Sequence, residues 1–165
     1  MKHLLVVILI AFSLNGFAQQ KELVWHTDVN KAINISVKTG KPLFLFFTGS
    51  DWCGWCKKLQ REVFFKPEFK KWANKNVILV DLDFNRAFQK KIKLAQNGKA
   101  TLTQNENRII GLSQEFGVRG YPTGWFVIPE VTDGKVNFNK LGSQGYVAGG
   151  PKGWIAGANK ILKNR

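Results

Sequence analysis

Apolar positions along the chain fall into runs and stripes that assign its elements one by one. Leu43 to Phe47 and Val77 to Leu82 are nearly continuous apolar runs, the pattern of strands buried on both faces, and two of them predict parallel neighbours at the centre of a sheet. Val24, Trp25 and Thr27 predict a short strand ahead of them. Gly124 to Ile128, the Asp133-Gly134 turn and Val136 to Leu141 predict a closing hairpin. Helical spacing fills the gaps. Asp28 is placed to cap a helix carrying Ala32, Ile33 and Val37, which Gly40 and Pro42 end. From Cys56, Leu59, Val63 and Phe64 form the apolar side of a helix that Pro67 interrupts, and a second short helix bears Phe69 and Trp72. Phe84, Phe88 and Ile92 mark a small basic helix ending near Asn97-Gly98. Thr103 and Glu106 form a T-x-x-E capping box before Ile109, Leu112 and Phe116, with Gly117 at the far end. The last helix starts at Pro151 and buries Trp154, Ile155, Ala158, Ile161 and Leu162.

Residues 1–18 carry a basic start at Lys2, an apolar run from Leu4 to Leu14, and small residues at Gly16 and Ala18, which together predict a cleaved secretory signal peptide. The run is shorter than the roughly 18–20 apolar residues of a bilayer span. Residues 19–165 then suit one domain, with no repeat and no linker, and the expected location is periplasmic or secreted. The formal charge is +14. It concentrates in Lys57, Lys58, Arg61, Lys66, Lys70, Lys71 and Lys75, and again in Arg86, Lys90, Lys91, Lys93 and Lys99. Such faces either attract acidic partners or simply stay solvated. Export and the lack of a recognition motif argue against nucleic acid as a partner, and a monomer is expected.

The chain has two cysteines, in Trp52-Cys53-Gly54-Trp55-Cys56. Side chains at i and i+3 on a first helical turn lie about 5–6 Å apart, so a disulfide closes with small adjustment. The loop it closes is too short to staple a fold. A redox switch is the reading that remains. Cys53, at the helix start, meets unpaired N–H groups and the positive end of the dipole, which favour its thiolate and make it the attacker; Cys56 would resolve the mixed disulfide. Lys57 and Lys58 reinforce that potential and Asp51 opposes it. No metal is expected, since two thiolates and His26, the one histidine beyond the signal, leave a tetrahedral site incomplete. Covalent haem would need histidine where Lys57 stands. Trp55 reads as an apolar rim contacting partner polypeptide; for Trp52 both rim and packing stand open. Trp25, Trp72, Trp125 and Trp154 belong to the core or its margin. His26 reads as a polar strand residue, and Asp81 and Asp83 as caps or solvated strand ends.

The order of strand, Trp-Cys-x-x-Cys, interrupted helix, strand and helix, then Phe116-Gly117-Val118-Arg119-Gly120-Tyr121-Pro122-Thr123 before a hairpin and final helix, resembles the thioredoxin family. Trp25 with Asp28, Gly40-Lys41-Pro42 and Phe65-Lys66-Pro67 are similar to exported members, including the periplasmic domain of the disulfide interchange reductase. The resemblance implies an α/β thioredoxin fold, a central mixed sheet flanked by helices, with a basic segment at 84–103 inserted before the helix that precedes the proline. It implies a cis bond between Tyr121 and Pro122, with Cys53 and Cys56 catalytic and Trp52, Gly54, Trp55, Tyr121 and Pro122 contacting substrate. The implied activity is that of a protein-disulfide reductase acting on disulfide-bearing proteins without a cofactor. Its electrons would come from an upstream thiol reductant, a membrane electron carrier being one candidate. Oxidase or isomerase activity, or a binding module with a static bridge, are the alternatives. Two departures from thioredoxin stand out: Gly54-Trp55 replaces its Gly-Pro, and Phe46 and Phe47 stand where it buries an aspartate ahead of the cysteines, for which Asp81 or Asp83 could substitute.

Overall fold

A computed structural model describes residues 22–165; the expected signal peptide lies outside them. Five strands form one mixed sheet: β1 (Trp25–His26), β2 (Leu43–Thr48), β3 (Ile78–Asp83), β4 (Thr123–Thr132) and β5 (Lys135–Ser143), in the order β1-β3-β2-β4-β5. β3 runs parallel to β1 and β2, and β4 antiparallel to β2 and β5. All six residues of β2 are buried, as its apolar run requires. Leu43, Leu45 and Phe47 join the core on one face and Phe44 and Phe46 the core on the other.

The first face is covered by α1 (Val29–Thr39), α4 (Arg86–Gln96) and α5 (Gln104–Glu115). Each starts on a side-chain cap from Asp28, Asn85 or Thr103, and Thr103 and Glu106 complete the full capping box. The Lys91 ammonium, 2.7 Å away, and the Thr103 N–H hold the Glu106 carboxyl below its ordinary range. Gly117, at φ 58°, takes the left-handed conformation that ends α5. One expectation is corrected here. Val37 is 55% exposed and Ser36 takes the inward position, its hydroxyl donating to the Lys41 carbonyl.

The second face is covered by α2 (Gly54–Leu59), α3 (Pro67–Asn76) and α6 (Gly150–Ile161). Phe44, Phe64, Phe69, Phe126 and Trp154 interlock there, with ring centroids 4.6–6.1 Å apart. Such pairs contribute about 0.5–1.5 kcal/mol each beyond their burial. The Trp154 indole N–H is satisfied by the Gly145 carbonyl at 3.0 Å. The expected helix from Cys56 differs in detail: it begins at Gly54 and widens into a π-helical turn over Gln60–Phe64. That turn puts Val63 and Phe64, adjacent residues, both into the core.

A redox site between two aromatic banks

β2 ends at Thr48 and a tight turn delivers the chain to the cysteines. The Gly49 carbonyl accepts from both Trp52 N (3.2 Å) and Cys53 N (2.8 Å). Each residue between is tied to the end of β3 or to the segment after it. Ser50 donates to Asp83 through its N–H (2.8 Å) and hydroxyl (2.6 Å), and Asp51 accepts from Arg86 N at 3.1 Å. The Trp52 indole N–H donates to the Phe84 carbonyl at 2.8 Å. Asp83, expected to be a cap or a solvated end, is therefore the anchor of this turn.

Cys53 and Cys56 are bonded, with Cα atoms 5.3 Å apart. Cys53 is the N-cap of α2: its Sγ accepts from the Cys56 N–H at 3.1 Å. A cap position places that sulfur against helix-end donors, an arrangement that stabilises negative charge on it. Cys53 keeps 5% of its surface exposed and Cys56 none, so an incoming group can reach only the former. Gly54 lies between them as the first residue of α2, with open space where a Cβ would stand.

The two tryptophans sit on opposite terms. Trp52 is wedged over Gly49, where any Cβ would run into the indole, and meets the Tyr121 ring edge-on at 5.3 Å. Trp55 is 57% exposed. Its ring leans on Tyr146 at 5.2 Å, with Lys58 Nζ 4.9 Å from both rings, and the Tyr146 hydroxyl donates to Glu62 at 2.6 Å. Tyr121–Pro122 is cis, as the resemblance implied. The β2–β4 ladder starts at Phe47 opposite Thr123, which sets Pro122 beside the turn that carries Cys53. Gly49, Tyr146 and Glu62 are not singled out by the sequence, and Phe84 reads there only as part of the basic helix's apolar stripe; among them Gly49, next to the turn after a buried strand, offers a local signal for the site.

Asp81 also departs from expectation. It pairs with Phe46 in register and lines a cavity of about 190 Å³ with Trp25, Gln60 and Phe64. Its Oδ1 is buried without a hydrogen-bond partner, and burial, then the nearby Asp83 charge, push its carboxyl up from 3.8 to about 6. Thus a buried carboxyl lies beneath the active-site helix although β2 has none. His26 lines a separate cavity with Thr39, Lys41 and Asn74, at the opposite end of the strands from Cys53. Burial, then the Lys31 charge, lower its pKa. Among the described residues no cluster suited to a metal ion occurs, and no helix is long and apolar enough to cross a membrane.

Comparison with known proteins agrees with this geometry. The thioredoxin-like domain family matches residues 29–146. The disulfide bond reductase DsbH of Chlamydia pneumoniae is 30% identical over 135 residues, covering 82% of this chain and 70% of that protein. The thioredoxin-related protein DsbJ of the same organism is 31% identical over 108 residues, 58% of this chain but 31% of DsbJ. A solved DsbH oxidoreductase superimposes with a TM-score of 0.67 at 27% identity, over 87% of each chain. A Thermus thermophilus thioredoxin reaches 0.58 at 13% identity, over 85% of this chain and 87% of its own, a likeness of fold. With its Cys53–Cys56 bridge at a helix start, the chain belongs to the thioredoxin-like family and is a thiol–disulfide oxidoreductase.

Proposed function

We propose that this protein is an exported disulfide reductase. The Cys53 thiolate attacks one sulfur of a substrate disulfide. A Cys53–substrate bond forms, and the other substrate sulfur leaves as a thiolate that takes up a proton. Cys56, once deprotonated, attacks Cys53 Sγ, forms the Cys53–Cys56 bond and releases the second substrate sulfur, also protonated from solvent. Two electrons have then passed from the protein to the substrate, and a dithiol protein must return them before the next cycle. A membrane electron carrier is the upstream donor that fits export, since a protein exported by a signal peptide at residues 1–18 works away from cytosolic reductants.

The observation that carries this reading is the pairing at α2. Cys53 Sγ accepts the Cys56 N–H and is the sulfur with exposed surface, while Cys56 is fully covered. Trp52, Gly54, Trp55, Tyr121 and Pro122 serve as substrate contacts in this scheme. The backbone of Tyr121, just ahead of the β4 ladder, pairs with an extended substrate segment. DsbH, by its name a disulfide bond reductase, favours the reducing direction over the oxidising one. Equilibration with glutathione, followed by tryptophan fluorescence, gives the potential of the pair. A value near the roughly −270 mV of thioredoxin supports the reductase, and one near the roughly −120 mV of DsbA replaces it with an oxidase.

A further inference from the structure

The basic segment 84–103 has a place in the site. α4 lies beside Trp52 and Tyr121, and between them runs a groove of about 350 Å³. Gln89, Ile92, Lys93 and Gln96 form its α4 bank, the i, i+3, i+4, i+7 positions of one helical face. Arg86 and Lys90 stand on the adjoining outer rim of the same helix. Ile92 and Gln96 also line the next hollow, which continues past Leu102 and Ile110.

The charges of this bank are unmatched. α4 contains four basic residues and no acidic one. Lys91 is engaged by Glu106 on the helix's other side, whereas Arg86, Lys90 and Lys93 are exposed and have no carboxylate partner among the described residues. Two further acids, Asp51 and Asp83, sit at the N-terminal end of α4. They are occupied by the Arg86 N–H and by Ser50 and Asn85. Across the cysteines the other bank differs: Lys58 lies over the Trp55 and Tyr146 rings and Glu62 accepts from Tyr146. On the Trp52 side, by contrast, Lys93 lines the groove itself with neither a carboxylate nor a ring contact among the described residues.

We propose that the α4 groove receives the substrate polypeptide next to its target cysteine and selects segments carrying Asp or Glu. Lys93 reads the carboxylate, and Arg86 and Lys90 steer it. The inference rests on the reductase reading and adds the class of substrate. A groove walled by Trp52, the residue before Cys53, makes the contact part of the encounter, so charge complementarity acts on association.

Three matched peptides, each bearing one cysteine as a mixed disulfide with 2-mercaptoethanol and flanked by Glu, Gln or Lys, test it against the reduced protein, with 2-hydroxyethyl disulfide as a small neutral control. At low salt the Glu peptide should be reduced roughly tenfold faster than the Gln peptide, with the preference falling as ionic strength rises. Lys93→Glu should abolish it, and Lys90→Glu should weaken it, with the rate on 2-hydroxyethyl disulfide unchanged. Equal rates for the Glu and Gln peptides with the small disulfide still reduced would overturn the proposal and leave the redox reading standing. A preference that survives Lys93→Glu would overturn it as well. Binding to phosphatidylglycerol vesicles that Lys93→Glu removes, without peptide selectivity, would assign the stripe to lipid instead. Failure to reduce even the small disulfide would sink the redox reading and the proposal with it.

Discussion

Trp52 and Trp55 stand one residue to either side of the Cys53-Gly54 step, yet the fold treats them as different kinds of residue. Trp52 is held on three sides, by Gly49 beneath, the Phe84 carbonyl at its indole nitrogen and the Tyr121 ring at its edge. It keeps 37% of its surface exposed, against 57% for Trp55, which has one ring and one lysine for company. The same side chain is a wall in one place and free contact surface in the other. What separates them is the turn: Ser50, Asp51 and Trp52 are each bonded to the chain between Asp83 and Arg86, while Trp55 projects from the first turn of α2. In the proposed scheme the Trp52 bank positions Cys53 and the Trp55 bank meets the substrate.

Substitutions can break that contrast, and the largest effect belongs to Trp52→Ala. Losing a wedged indole and one of the two donors to the Phe84 carbonyl, the other being the Gln89 amide, should cost about 3 kcal/mol in chemical denaturation. Activity should fall even under conditions where the variant stays folded. A loss no greater than that of Trp55→Ala would remove the distinction.

Asp81→Asn acts with the opposite sign, beneath the helix that carries Trp55. Its native carboxyl titrates at about 6, above the ordinary 3.8. Below 3.8 both folded and unfolded states are protonated and the group contributes nothing. As pH climbs to about 6 the unfolded chain gives up its proton more readily, so stability falls through that window. Above it the native state carries a penalised charge, worth on the order of 2–3 kcal/mol for such a displacement. Urea unfolding should find Asp81→Asn more stable than the parent at pH 7.5 and equal to it below pH 4. A gain that ignored pH would contradict the burial argument.

Gly49→Ala sharpens the comparison from the other side. The added methyl falls on the Trp52 ring, so the wall must shift at a cost of about 1–3 kcal/mol, and Cys53, bonded to the Gly49 carbonyl, shifts with it. Reduced activity with altered tryptophan fluorescence is expected. A silent substitution would show that Trp52 is not wedged. Trp55→Ala should be the mildest, changing stability by no more than about 0.5 kcal/mol. Its effect should be a several-fold rise in KM for protein disulfides with kcat preserved.

Much of this was legible in the sequence because it is written locally. The apolar run of β2 and the Thr103–Glu106 box each depend on residues close in the chain, and both stand as read. Cys53 at a helix start followed from the apolar strand before it and the amphipathic pattern after it. Val37 failed because helical spacing fits a wide apolar stripe, and the inward place went to Ser36, whose hydroxyl finds the Lys41 carbonyl. Asp81 and Asp83 were indistinguishable as strand-end acids. They share one face of β3, and only the assembled fold separates them: Asp81, opposite Phe46, lies by Trp25 and Gln60, while Asp83, at the strand end, meets Ser50. Tyr146, 84 residues from the Glu62 it bonds, had no local signature at all.

The central claim is that Cys53 attacks and Cys56 resolves. Reduced Cys56→Ser, mixed with a disulfide-bonded protein such as insulin, should accumulate a DTT-sensitive adduct that peptide mapping places on Cys53. The parent should accumulate none, because Cys56 clears the intermediate. No adduct on Cys56→Ser, or an adduct formed equally well by Cys53→Ser through Cys56, would contradict the assignment.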